Sequence, residues 1–155
     1  MTEYERLTDI VAKLRSEGGC PWDSAQTHGS LKRHVIEEAC EVVAGINRLD
    51  RTQDPENLKE ELGDLLFQVV IQARIAQEEG LFDMEDVCRA ISDKMVRRHP
   101  HVFGGAGESG KDISWEGIKQ AEKKGKNREE ELEYLAEAFE ESKELIEKAR
   151  ERKGI

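Results

Sequence analysis

The sequence predicts an all-α protein, a bundle of helices followed by a further, acidic helix. Three observations predict it. Apolar residues recur at helical spacing in every long segment, β-branched alternation is nearly absent, and the breaks between segments fall at glycine and proline. Hydrophobic residues make up 37% of the 155 and Asp, Glu, Lys and Arg another 37%, the balance expected of helices with long solvated faces. This length suits one domain with an appendage, here residues 1–125 followed by an acidic helix over 126–155.

The first helix is expected from about Glu3 to Glu17, with Tyr4, Leu7, Ile10, Val11 and Leu14 on one face and Gly18-Gly19 as its stop. A loop follows, Cys20-Pro21-Trp22-Asp23 through Gly29. Ser30 is the expected N-cap of a second helix over about Leu31–Leu49. Asp54-Pro55 opens a third, which runs to about Glu79 and ends at Gly80. Asp83 caps a fourth, Met84–Arg98, that Pro100 terminates. His99–Ile113 reads as a glycine-rich loop, and Ser114 caps a short helix carrying Trp115. The last segment, Arg128–Lys153, is a strongly acidic helix with a thin stripe of Leu132, Leu135, Phe139 and Ile146, expected to pack one edge on the body or on a second subunit.

Advancing each helix by about 100° per residue shows where its charges point. On the second helix, Leu31, Val35, Val42, Ile46 and Leu49 mark the apolar stripe. Glu38 falls about 20° from Leu31, inside that stripe, and Glu41 lies at its edge. On the third, Leu58, Leu62, Leu65, Val69, Ala73 and Ala76 mark the stripe, and Glu61 and Asp64 flank it, with Gln68 and Gln72 continuing the same flank. Burying four like charges without a partner is prohibitive, and no Lys or Arg on these two helices is spaced to neutralise them. A divalent cation is the natural partner. On the fourth helix Lys94 and Arg98 fall within the stripe of Met84, Val87, Ile91 and Met95, where they can hold ligand oxygens.

Oxygen-only ligation selects a hard ion, Mg²⁺ or Mn²⁺. Carboxylate bundles that hold two irons use Glu-x-x-His pairs, and no histidine here follows a glutamate at that spacing. Magnesium shares its shell with phosphates, so hydrolysis at phosphorus is the expected chemistry. No G-x-x-x-x-G-K-[ST] loop is present, which removes the P-loop NTPases. The net charge of -10 argues against a nucleic-acid duplex as partner. Three widely spaced cysteines without a C-x-x-C pair point to reduced thiols in a cytoplasm. The longest apolar run, Leu65–Ile71, is too short to span a bilayer.

These residues resemble a known family. Glu37-Glu38-Ala39-Cys40-Glu41 followed by Glu61-Leu62-Gly63-Asp64 is similar to the EExxE…ExxD signature of the all-α nucleoside triphosphate pyrophosphohydrolases, the MazG branch in particular. Cys20-Pro21-Trp22-Asp23 with Gln26-Thr27-His28, Ile91 to Lys94 with Arg97 through Phe103, and Trp115-Glu116 with Ile118-Lys119 resemble further MazG blocks, in the same order, over about residues 5–123. The resemblance implies a four-helix-bundle-like domain and hydrolysis of NTP to NMP and pyrophosphate with Mg²⁺. It implies a homodimer or dimer of dimers, which fits a third helix that is apolar almost all round. By position it implies Glu38, Glu41, Glu61 and Asp64 as metal ligands and Lys94, Arg98 and Trp115 as nucleotide contacts. Glu37 or Glu41, acting through a metal-bound water, is the expected general base, and the loop of Trp22 and His28 is expected to line the base pocket. The sequence departs from the longer MazG proteins in two ways: it holds one such domain instead of two, and an acidic helix follows Gly125 where the resemblance implies a Leu/Pro-containing stretch.

The expectation from a different class is a non-catalytic helical interaction module, in which these acids and cations form an internal salt-bridge network and the charged last helix recruits a partner.

Overall fold

The computed structural model describes residues 1–104 and 127–155; Trp115 and the short helix expected around it lie outside them. Every regular element among the described residues is a helix: α1 (Glu3–Arg15), α2 (Pro21–Ser24), α3 (Lys32–Thr52), α4 (Glu56–Glu78), α5 (Met84–Arg98), α6 (Pro100–Phe103) and α7 (Arg128–Lys153). They form two compact units, one of Met1–Met84 with Glu140–Ile155, the other of Glu85–Phe139.

In the first unit α1 starts at a reciprocal cap. Glu5 N donates to Thr2 Oγ1 at 3.2 Å, and Thr2 N donates to Glu5 Oε2 at 2.6 Å. The helix stops at Arg15, two residues short of the expected Glu17, because Ser16 leaves the helical region and its hydroxyl donates to Lys13 O. The expected loop after it contains one helical turn, α2, started by Pro21 at its first position, where proline's missing N–H costs nothing. Ser30 does not cap α3. Leu31 takes that position, while the Ser30 hydroxyl accepts from Thr27 N at 2.9 Å and donates to Gln26 Oε1 at 2.7 Å, closing the preceding turn. Asp54 does not take the N-cap position of α4 either: Pro55 holds it, one residue later than expected, and Asp54 Oδ1 accepts from Glu56 N at 3.1 Å from just outside the helix.

The pair α3–α4 is the frame of this unit, and α1 crosses the second half of α4. Val11, Leu31, Val70, Ile71 and Ile75 form the core, with Leu7, Phe67 and Met84 against it. The apolar residues nearer the start of α4 are not covered within the unit: Leu62, Leu66 and Val69 are 50%, 41% and 40% exposed. Burial of the expected stripe therefore divides along α4, and its first half is an open apolar face.

Arg15 ties the unit together. Its side chain is 6% exposed. One guanidinium nitrogen donates to Asp23 O at 2.6 Å and Gln26 O at 3.1 Å, and another donates to Glu78 Oε2 at 2.8 Å. Replacing Arg15 with alanine strands two carbonyls and a carboxylate, and is expected to cost about 2–4 kcal/mol in urea unfolding. The hydrogen bond from Arg15, with help from Arg74, lowers the pKa of Glu78 below its ordinary 4.5 against an opposing effect of burial. A depressed carboxylate stabilises the fold above its unfolded pKa, so this contribution is present above about pH 4.5 and is lost as pH falls through the lowered value. The Arg15→Ala variant should keep only the smaller part of that acid limb, the part Arg74 supports.

In the second unit, Glu85 and Asp86 in the first turn of α5 and Arg97 and Arg98 in the last complement the helix dipole. The expected loop after α5 begins instead with a helical turn, α6, since Pro100 ends one helix and is preorganised to open the next. No helix among the described residues is long and apolar enough to cross a membrane.

Candidate active site

Glu38 is on the face of α3 turned to α4, and Glu61 and Asp64 lie three residues apart on α4, nearly one turn. The two helices come together closely because α3 has Gly45 where they touch: a Cβ there would stand 3.0 Å from Leu58 Cα. With so little between the backbones, the acids of the two helices converge. One carboxylate oxygen from each of Glu38, Glu61 and Asp64 lies within 4.8 Å of the other two. Asn57, one turn before Glu61, donates to its Oε1 at 2.8 Å and fixes that side chain.

Glu38 pays for this convergence. Its Oε2 is buried and has no hydrogen-bond partner. Burial raises its pKa above the ordinary 4.5, and the charges of Glu41, Asp64 and Glu61, in that order, push the same way. Three oxygens, hard and anionic, one of them buried without a donor, are the donor set a hard divalent cation requires. The chemistry of the residues fits the ion.

Glu41 is placed differently. Its carboxylate accepts from Lys153 Nζ in the last turn of α7, and Glu37 accepts from Arg152 beside it. The ion pair with Glu41 raises the pKa of Lys153, and Glu38 and Glu61 add to the effect. For Glu41 to become a fourth ligand, the Lys153 ammonium must move off it. Between α3 and α7 lies a cleft of about 290 Å³, walled by Ile36, Cys40, Ala44, Ile146 and Ala149 and bordered by Glu37 and Glu41.

Trp22 stands edge-on to His34, ring centroids 5.8 Å apart, with half its surface exposed. His34 is one turn before Glu38 on α3. Burial, then Arg33 and Arg152, lower its pKa, so it is neutral at pH 7. His28 Nδ1 donates to Gln72 Oε1, and its Nε2 is 3.6 Å from Glu79 Oε2. Lys94 and Arg98, one turn apart and partly buried, belong to α5 in the second unit.

A family model described as the MazG nucleotide pyrophosphohydrolase domain matches residues 26–103. The chain belongs to that family. The match spans both acid-bearing helices and the α5–α6 segment of this MazG domain. It is 49% identical over 126 residues to the nucleoside triphosphate pyrophosphohydrolase/pyrophosphatase MazG of Thermotoga maritima, covering 81% of this chain and 47% of that protein. It is 47% identical over 127 residues to the nucleoside triphosphate pyrophosphohydrolase of Escherichia coli K12, covering 79% and 47%. A third relative, the uncharacterized protein YabN of Bacillus subtilis, is 45% identical over 78% of this chain and 24% of its own length. The chain thus spans about half the length, or less, of these relatives.

Sequence reasoning missed the cations of α7. Arg150, Arg152 and Lys153 close an otherwise acidic helix, and that charge reversal was the available signal. It also passed over Asn57, whose spacing of four from Glu61 was visible.

Proposed function

We propose that this MazG domain hydrolyses nucleoside triphosphates to the monophosphate and pyrophosphate, clearing excess or non-canonical nucleotides. The observation that carries it is the buried, unpartnered Glu38 Oε2 beside Glu61 and Asp64. Mg²⁺, or Mn²⁺ in its place, is the ion these three acids would hold; when bound, it supplies charge stabilisation to phosphoryl oxygens and an easier deprotonation of water. Water attacks the α-phosphorus, the bond to the bridging oxygen breaks, and pyrophosphate leaves. Glu41, the acid whose charge weighs most on Glu38, is assigned the task of taking the proton of that water once Lys153 has moved off it. Glu37 flanks it, held by Arg152. Lys94 and Arg98, with Trp115, are assigned to the nucleotide, the two cations to its phosphate charge.

The names of the Thermotoga and Escherichia relatives support the substrate class. Mg²⁺-dependent release of pyrophosphate from a panel of NTPs and dNTPs tests it; orthophosphate as the first product, or no product from any of them, would refute it.

Trp22 and His28 are assigned to the base pocket. Stacking on Trp22 adds similar affinity in the ground and transition states, so Trp22→Ala should raise KM about 10-fold with kcat little changed. A fall in kcat at constant KM would remove that role.

The Lys153–Glu41 and Arg152–Glu37 pairs also fit the non-catalytic module, whose acids would be neutralised internally. They leave Glu38 unpaired, which favours the enzyme. Val43 and Ile46 of α3 join Leu62, Leu66 and Val69 of α4 as exposed apolar residues, and we assign this face to a second copy of the chain in a homodimer or dimer of dimers. Sedimentation equilibrium should give an even multiple of the 17.6 kDa chain. We assign the chain to a reducing cytoplasm on its three widely spaced cysteines without a C-x-x-C pair.

A further inference from the structure

Gln68 lies on α4 one turn, about 6 Å, beyond Asp64, and within about 60° of Glu61 and Asp64 around the helix axis. It is 6% exposed, and its Oε1 is buried with no hydrogen-bond partner. Among the described residues the other side-chain atom in that condition is Glu38 Oε2. A buried amide oxygen without a donor costs stability that an apolar side chain of the same shape would not. The apolar core of Val11, Leu31, Val70, Ile71 and Ile75 is built from other residues, so it does not account for that cost.

The register of the two helices says what stands at this level. Gly45 of α3 meets Leu58 of α4, and the helices run antiparallel across the short connection between them. Moving back along α3 therefore matches moving forward along α4. The turn of Gln68 is level with the turn of His34, which holds Trp22. Two levels follow one another: the acid trio, then Gln68 with His34 and Trp22. A nucleotide likewise has anionic phosphates at one end and a hydroxyl-bearing sugar with its flat base at the other.

We propose that Gln68 is a substrate-contacting residue whose Oε1 accepts a hydrogen bond from an O–H group held beside the acid trio. Two sources offer that donor, the sugar hydroxyl of the bound nucleotide and the attacking water. This assignment rests on the reaction proposed above, and its failure is separable from the failure of that reaction.

Gln68→Met keeps the side-chain volume and removes the acceptor; Gln68→Leu serves as a second variant should methionine pack poorly. Without divalent cation, Tm should rise by about 2–4 °C, since an unpartnered buried group is gone. Mn²⁺ affinity by calorimetry should stay within about twofold, because no ligand is lost. Affinity for an α,β-methylene triphosphate in the presence of Mn²⁺, and kcat/KM for hydrolysis, should each fall about 10-fold if the donor is the sugar. In that case the deficit disappears with the 2′,3′-dideoxy triphosphate. If the donor is the attacking water, analogue binding is unchanged and kcat falls about 10-fold for ribo-, deoxy- and dideoxynucleotides alike. A variant that is more thermostable yet binds and hydrolyses every nucleotide like the wild type overturns the proposal. Wild-type protein that binds the analogue but releases no pyrophosphate overturns the reaction and leaves the binding arm to decide the role of Gln68.

Discussion

Glu38→Gln is expected to lose at least about 100-fold in pyrophosphate release, and to melt at a higher temperature than the wild type when no divalent cation is present. Both effects have one cause. Glu38 is half-buried, with its Oε2 covered, and burial followed by the charges of Glu41, Asp64 and Glu61 raises its pKa. A group with a raised pKa contributes its stability below the unfolded value, near 4.5, and that contribution is lost as pH rises through the raised value. The neutral glutamine retains it at every pH. The gap in Tm between variant and wild type should therefore open as pH rises from about 4.5 through the raised value and then level off. Added Mn²⁺ should reverse the order, because binding stabilises only the form that can hold the ion. A cation also requires Glu38 ionised, so wild-type Mn²⁺ affinity should weaken as pH is lowered through that same raised value. Equal activity in the variant, or a Tm gap indifferent to pH, would detach Glu38 from the site.

Gly45→Val should disable the protein from outside the acid cluster. The added Cβ would meet Leu58 Cα at 3.0 Å and Leu58 Cβ at 3.4 Å, and backbone on the opposing helix cannot turn aside as a side-chain tip can. The expected cost is about 1–3 kcal/mol of overpacking, with α3 and α4 forced apart. Since Glu38 stands on one helix and Glu61 with Asp64 on the other, the separation lengthens both distances from Glu38 and leaves that between Glu61 and Asp64 as it was. A misplacement of about 1 Å is enough for roughly a 100-fold loss of rate. Gly63→Ala is the stability control, because nothing lies within 4 Å of a Cβ built there; it should raise stability by about 0.5–1 kcal/mol. If Gly45→Val keeps both its Tm and its activity, the close approach of the two helices is not what holds the acids together.

The helices were legible because their punctuation is strong. Met84–Arg98 and Arg128–Lys153 have the bounds that their periodicity predicts. The end of α3 was not legible: it runs to Thr52 because Gln53, a residue with no special turn preference, adopts the left-handed conformation that glycine usually takes, at φ 60°. The short turns α2 and α6 were read as loop because four residues carry no periodic signal, although each begins with proline. For the site, helical angles were enough to bring Glu38, Glu61 and Asp64 to one place, since these lie on two helices joined by a tight connection. The same angles could not show that α7 reaches Glu37 and Glu41, over a hundred residues away in sequence, with cations from its final turn. Nor could they show which half of the α4 stripe would stay open, because that depends on where α1 crosses.

Manganese titration of the full chain, followed by electron paramagnetic resonance, tests the central claim most directly. Wild-type protein should bind Mn²⁺ at the trio, and Asp64→Asn should weaken that binding at least about 10-fold while preserving the helical spectrum. Identical Mn²⁺ binding by the two proteins, or none by the wild type at millimolar metal, would contradict it.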